Sequence, residues 1–106
     1  MNNEIARVVA ELRRQLDALY GPRLVQVILY GSQARGDAED SSDIDVLVVL
    51  KGAVQGGEEI ERTGDIVTDL SLRYNTVISL LFMSDEHWAH RQGPLLRNIR
   101  REGIAV

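Results

Sequence analysis

Apolar residues fall into two regimes along this chain, one with helical spacing and one in short unbroken runs. Over residues 3–19, Ile5, Val8, Val9, Leu12, Leu16 and Leu19 recur at three- and four-residue intervals, with asparagines available as N-caps and Gly21-Pro22 closing the run. That period predicts an amphipathic helix. LVQVILY (24–30) is rich in β-branched and aliphatic residues and stops at Gly31, which predicts a strand leading into a turn and a short helix. IDVLVVL (44–50) is almost wholly apolar, the pattern of a strand covered on both faces beyond its first residues. Residues 58–75 open with acids suited to a helix N-terminus and place Ile60, Ile66, Val67, Leu70 and Leu72 on one broad face, with Gly64 as the weak point of a continuous helix. TVISLLFM (76–83) predicts a third strand, Ser84-Asp85-Glu86 a capped short helix through His90, and PLLRNIRRE, bracketed by Gly93-Pro94 and Gly103, a final helix. The resulting order, α-β-α-β-α-β-α-α, predicts an α/β fold with a short mixed β-sheet flanked by helices.

Bulk properties narrow the chemistry. A length of 106 residues suits one domain spanning 1–106. With 44% hydrophobic and 26% charged residues, long disorder is not expected. No apolar run approaches the roughly 20 residues that cross a bilayer, and charges interrupt the N-terminal pattern where a signal peptide would be apolar. The expectation is a cytoplasmic protein with no membrane partner. The absence of Cys excludes disulfides, thiolate metal sites and a cysteine nucleophile, so any metal is held by oxygen or histidine. A net charge of −4 disfavours extensive nucleic-acid binding, which needs many cations on phosphates, but is compatible with a single bound nucleotide.

The informative stretch is GSQARGDAEDSSDIDVLVVL (31–50). Asp43 and Asp45 lie one residue apart at the mouth of a strand, and side chains at i and i+2 of a strand point the same way. Two like charges on one face add nothing to stability, so they must be solvated, paired with cations or bound to metal. Upstream, a strand ending in Gly31-Ser32 before a helix offers backbone N–H groups and a hydroxyl, with glycine permitting close approach of a phosphate. Carboxylates are the hard oxygen ligands that Mg²⁺ takes alongside substrate phosphates.

The same run closely resembles the G-S-x-A-R-G … S-D-[IL]-D signature of minimal nucleotidyltransferase domains in the DNA polymerase β superfamily. That resemblance implies a nucleotidyltransferase-like fold and Mg²⁺-dependent transfer of a nucleoside monophosphate, AMP from ATP, to a hydroxyl. By resemblance Gly31 and Ser32 hold phosphate oxygens, Asp43 and Asp45 are the catalytic metal ligands, and Arg35 steadies the turn or touches phosphate. It also implies a protein acceptor, with a separate small helical HEPN protein as partner. The family places a third carboxylate on the strand after the intervening helix. Here the polar residue in that strand is Ser79, with no Asp or Glu. This departure keeps a second reading open: a non-catalytic nucleotide-binding or partner-binding module, an antitoxin or regulatory subunit.

Other polar groups have plainer readings. Arg35 can instead pair with Asp37 or Glu39, and Ser42 is a turn residue. Asp65 and Asp69 sit four apart on a solvated helix face. His87 and His90, three apart, have no third ligand nearby in the sequence. Arg97, Arg100 and Arg101 suit the C-terminal end of a helix dipole, with a triphosphate or partner contact as the alternative.

Overall fold

A computed structural model of the protein describes residues 2–36 and 43–106. The chain runs through α1 (Asn3–Tyr20), a 3₁₀ turn (Gly21–Arg23), β1 (Leu24–Tyr30), α2 (Ser32–Arg35), β2 (Ile44–Leu50), α3 (Gly56–Arg62), α4 (Gly64–Tyr74), β3 (Ile78–Ser84), α5 (Asp85–His90), α6 (Pro94–Glu102) and β4 (Ile104–Ala105). The sheet order is β3-β2-β1-β4. β1 is antiparallel to both β2 and β4, and β2 is parallel to β3, so the sheet is mixed, as expected for the fold.

β2 lies between β1 and β3, and every residue from Val46 to Leu50 is fully buried. Its alternating side chains feed two cores. Ile44, Val46, Val48 and Leu50 pack with Val8, Leu12 and Leu16 of α1 and Leu70 of α4. Leu47 and Val49 pack on the other face with Ile28, Leu96 and Ile99, and with the partly buried Trp88. Burial of such side chains contributes about 1.5–3 kcal/mol each, which explains why this strand tolerates no polar residue beyond Asp45. The first helix begins where its cap demands: Asn2 Oδ1 accepts the Ile5 amide at 2.8 Å. Among the described residues, no helix is long and apolar enough to cross a membrane.

Three local expectations are corrected. The continuous helix over 58–75 is two helices, because Thr63 (φ −95°, ψ 2°) closes α3 and opens α4. Its hydroxyl donates to the Glu59 carbonyl at 2.8 Å, which also accepts the Thr63 amide at 3.0 Å, so one residue closes the helix end twice. The break also shifts the buried face. Ile60 and Leu72 are 60% and 79% exposed, while the charged Glu59 is only 2% exposed. Glu59 is tolerated there because it accepts from the Tyr20 hydroxyl at 2.7 Å, Arg62 Nη1 at 3.0 Å and Arg23 Nη1 at 3.3 Å. Burial, and then the Glu59 charge, push the Tyr20 hydroxyl well above its usual pKa. Finally, the two-residue β4 is too short to leave a periodic signal. It exists because Ile104 and Ala105 pair with Leu29 and Ile28, and because Gly103 has no Cβ: one would sit 2.5 Å from the Ile99 carbonyl oxygen.

Candidate active site

Sheet register gathers the polar residues of this site. β1 and β2 are antiparallel, so the end of one meets the start of the other and Tyr30 pairs with Asp45. β2 and β3 are parallel, so Asp45 pairs with Ser79. Residues paired across a ladder share a face. Tyr30, Asp45 and Ser79 therefore stand in a row on the face that carries Ile28, Leu47 and Leu81 further along the strands. Ser79 is exposed, so it does not point into the core. Asp43, also exposed, lies just ahead of β2, where the Ile44 amide donates to the Val77 carbonyl at 2.8 Å.

Gly31 joins this row to the turn. Its backbone (φ 75°, ψ −156°) lies in a region open essentially to glycine alone. A Cβ there would approach Asp45 Oδ2 to 2.7 Å. The turn thus passes against the Asp45 carboxylate, closer than any side chain would allow. α2 is one turn long: the Ala34 and Arg35 amides both donate to the Gly31 carbonyl at 3.1 Å, and left-handed Gly36 ends it by donating to Ser32. Ser32 is half-buried at the start of that turn, where first-turn amides lack an acceptor within the helix. Arg35 extends from its end to Glu102 of α6, an ion pair of 3.3 Å.

The electrostatics match two carboxylates crowded on a partly covered surface. Burial raises the pKa of Asp45, and the like charge of Asp43 raises it further. Burial, then the Asp45 charge, raise that of Tyr30. A divalent cation would relieve the first of these repulsions. Two adjacent carboxylates suit Mg²⁺ when substrate phosphates and water complete its shell, and here Asp43 and Asp45 would supply the protein's share. Among the described residues, no group of three His, Cys, Asp or Glu side chains could hold a metal by itself.

Beyond Gly31 lies a small cavity of about 160 Å³, lined by Tyr30, Arg35, Leu95, Asn98 and Glu102 among others. Tyr30 and Glu102 are site-lining residues the sequence reading missed. Tyr30 was legible as the last strand residue before the turn, whereas nothing in the sequence links Glu102 to a motif 67 positions away.

The remaining candidates lie apart. His87 and His90 border an open cavity of about 810 Å³ with Phe82, Met83 and Arg91, at the far end of β3 from Ser79. Asp65 and Asp69 are exposed, and Asp69 pairs with Arg73 at 2.7 Å. Arg100 lies 4.6 Å from the centre of the Trp88 ring and donates to the carbonyls of Trp88 and Arg91. Arg97 is exposed, and Arg101 reaches Asn98 and Glu102. Asp37, Glu39, Asp40 and Ser42 lie outside the described residues.

Comparison with known proteins bears on the family and the fold. The nucleotidyltransferase domain family matches residues 9–105. A Methanocaldococcus jannaschii protein provisionally named a protein adenylyltransferase is 33% identical over 109 aligned positions, covering 97% of this chain and 96% of its own. A solved structure described as a toxin-antitoxin with AMP-PNP superposes with a TM-score of 0.63 at 18% identity, over 98% of this chain and 72% of that one. Another, described as tri-AMPylated Shewanella oneidensis HEPN toxin in complex with MNT antitoxin, gives 0.55 at 15% identity, over 96% and 67%. At such identities the structural likeness is one of fold.

Proposed function

Because this chain belongs to the nucleotidyltransferase domain family, as a minimal nucleotidyltransferase of the DNA polymerase β superfamily, we propose that it transfers AMP from Mg·ATP to a hydroxyl on a partner protein. The observation that carries this reading is the packing of Gly31 against the Asp45 carboxylate, which sets the glycine-serine turn beside the two carboxylates proposed to bind metal. In the reaction the acceptor hydroxyl oxygen forms a bond to the α-phosphorus, its proton is lost to solvent, and the bond to pyrophosphate breaks. Ser32 holds the departing phosphates through its hydroxyl and first-turn amide. Arg35 supplies positive charge at the end of the same turn. Asp43 and Asp45 would hold Mg²⁺, which would supply charge neutralisation to the transferring group. Catalysis of this kind is positioning and charge neutralisation, the roles proposed for these side chains.

A small helical HEPN-type protein is the proposed acceptor, supported by the named activity of the Methanocaldococcus jannaschii relative and by the HEPN toxin in the Shewanella oneidensis complex. The test is transfer of labelled AMP from ATP to such a partner in the presence of Mg²⁺. Label on the partner, lost without Mg²⁺, is the expected result; binding of Mg·ATP with no transfer to any partner would leave the non-catalytic module as the better reading.

One feature favours that second reading, namely Ser79 in the position where a third carboxylate would stand. Ser79→Asp tests whether that position opens to the cleft of Asp43 and Asp45. Ser79 is exposed and in register with Asp45, so the new carboxylate costs little folding stability, gains a Mg²⁺-dependent rise in melting temperature and increases transfer. Had Ser79 faced the core, the change would bury an unpaired charge at a cost of several kcal/mol. A metal-independent drop in melting temperature would show that the residue has no access to the cleft.

A further inference from the structure

In the proposed function Arg35 supplies positive charge to the phosphates, yet its guanidinium makes an ion pair with Glu102. We infer that Glu102 is a positioning residue that holds Arg35 against α6 in the nucleotide-free site and competes with the triphosphate for it, so that it sets nucleotide affinity. This rests on the nucleotidyltransferase reading of the site.

Three observations support it. First, the Glu102 carboxylate is shared: Oε2 accepts from Arg35 Nη1 at 3.3 Å and Oε1 from Arg101 Nη2 at 3.3 Å. When Arg35 turns to phosphate, Glu102 keeps its second cation, so release leaves no stranded charge. Second, the two partners ride on elements of different rigidity. α6 ends at Gly103, whose amide donates to the Ile99 carbonyl at 2.8 Å and which has no room for a Cβ. The chain then enters β4 beside β1, the Val106 amide donates to Val27, and Arg13 donates to the Val106 carbonyl at 2.8 Å. Glu102 is thereby held in place, whereas Arg35 sits on a single helical turn between two positive-φ glycines. Third, the pair borders the 160 Å³ cavity that reaches Gly31. Both side chains are partly exposed, at 43% for Arg35 and 26% for Glu102, so the pair is weak enough to exchange for a doubly charged phosphate group.

The experiment measures binding of Mg·ATP and of Mg·tripolyphosphate, which lacks base and ribose, to the wild type, Glu102→Gln, Arg35→Gln and the double variant. Glu102→Gln is expected to tighten both ligands roughly two- to fivefold, the range that corresponds to an exposed ion pair. In the Arg35→Gln background the same change should lose most of that gain, since there is no guanidinium to release. Unchanged or weaker binding in Glu102→Gln overturns the inference, and so does a gain that persists undiminished without Arg35, because Glu102 would then act by its own charge alone. If the wild type binds Mg·ATP in either of those cases, the nucleotidyltransferase reading survives. A wild type that binds neither ligand overturns both. Melting temperatures of all four proteins, expected to agree within a few degrees, guard against misfolding as the cause.

Discussion

Replacing both Asp43 and Asp45 by Asn is expected to abolish Mg²⁺-dependent nucleotide binding and transfer while leaving the fold intact. The cation would lose both of the hard anionic ligands that the described residues offer it at this turn. Charge stabilisation by a catalytic metal is worth several kcal/mol, so the loss in transfer should be roughly a thousandfold or more. Calorimetry that finds unchanged Mg·ATP affinity in the double variant would overturn the metal assignment. The stability effect has the opposite sign. The Asp45 pKa is raised in the folded protein above its ordinary 3.8, chiefly by burial and then by Asp43. The native state therefore binds this proton more tightly than the unfolded chain, and that contribution is fully present below the unfolded value and lost as pH rises through the folded one. At neutral pH and without metal the ionised pair is a liability. Asp45→Asn should raise the melting temperature slightly at pH 7, and the gain should vanish at a pH below both values. Mg²⁺ should reverse the order, stabilising the wild type and not the variant.

Gly31→Val is expected to produce the second large effect, through two separate faults. Its backbone conformation admits glycine almost alone, and forcing another residue into it costs about 1–3 kcal/mol. The new Cβ would also meet Asp45 Oδ2 at 2.7 Å, displacing a carboxylate proposed to bind metal. Nucleotide affinity should fall roughly tenfold or more, and transfer further. Gly36→Ala provides the comparison, since Gly36 is also at positive φ (80°) but a Cβ there meets nothing within 4 Å among the described residues. It should cost about 1–2 kcal/mol of stability while leaving Mg·ATP affinity near that of the wild type. A Gly31→Val protein that folds and binds Mg·ATP normally would place the phosphate cradle elsewhere.

Much of this protein was legible before any tertiary contact was known, because its signals are local. β2 begins and ends where its apolar run does, since a strand covered by helices on both faces admits polar residues only at its ends. α1 starts at an Asn cap and stops at Gly21-Pro22 for reasons of backbone geometry. The pairing of a glycine-serine turn with two aspartates one residue apart is equally local, being contained in fifteen positions.

Tertiary structure decided what depends on partners far apart in the chain. Glu59, an acid in a helix start, is buried because Tyr20, Arg23 and Arg62 converge on it, and a helical period carries no information about those three. Ser79 reads as a lone polar group in an apolar strand. Only the parallel register with β2 shows that it stands beside Asp45 and faces outward. Arg35 finds its partner at Glu102 because β4 closes the sheet next to β1 and brings the end of α6 to the turn. Sequence alone determined which residues could carry the chemistry, because residue type and spacing are properties of the chain. Their neighbours, exposure and competition for charge were set by the fold, because those follow from which strands pair and in what register.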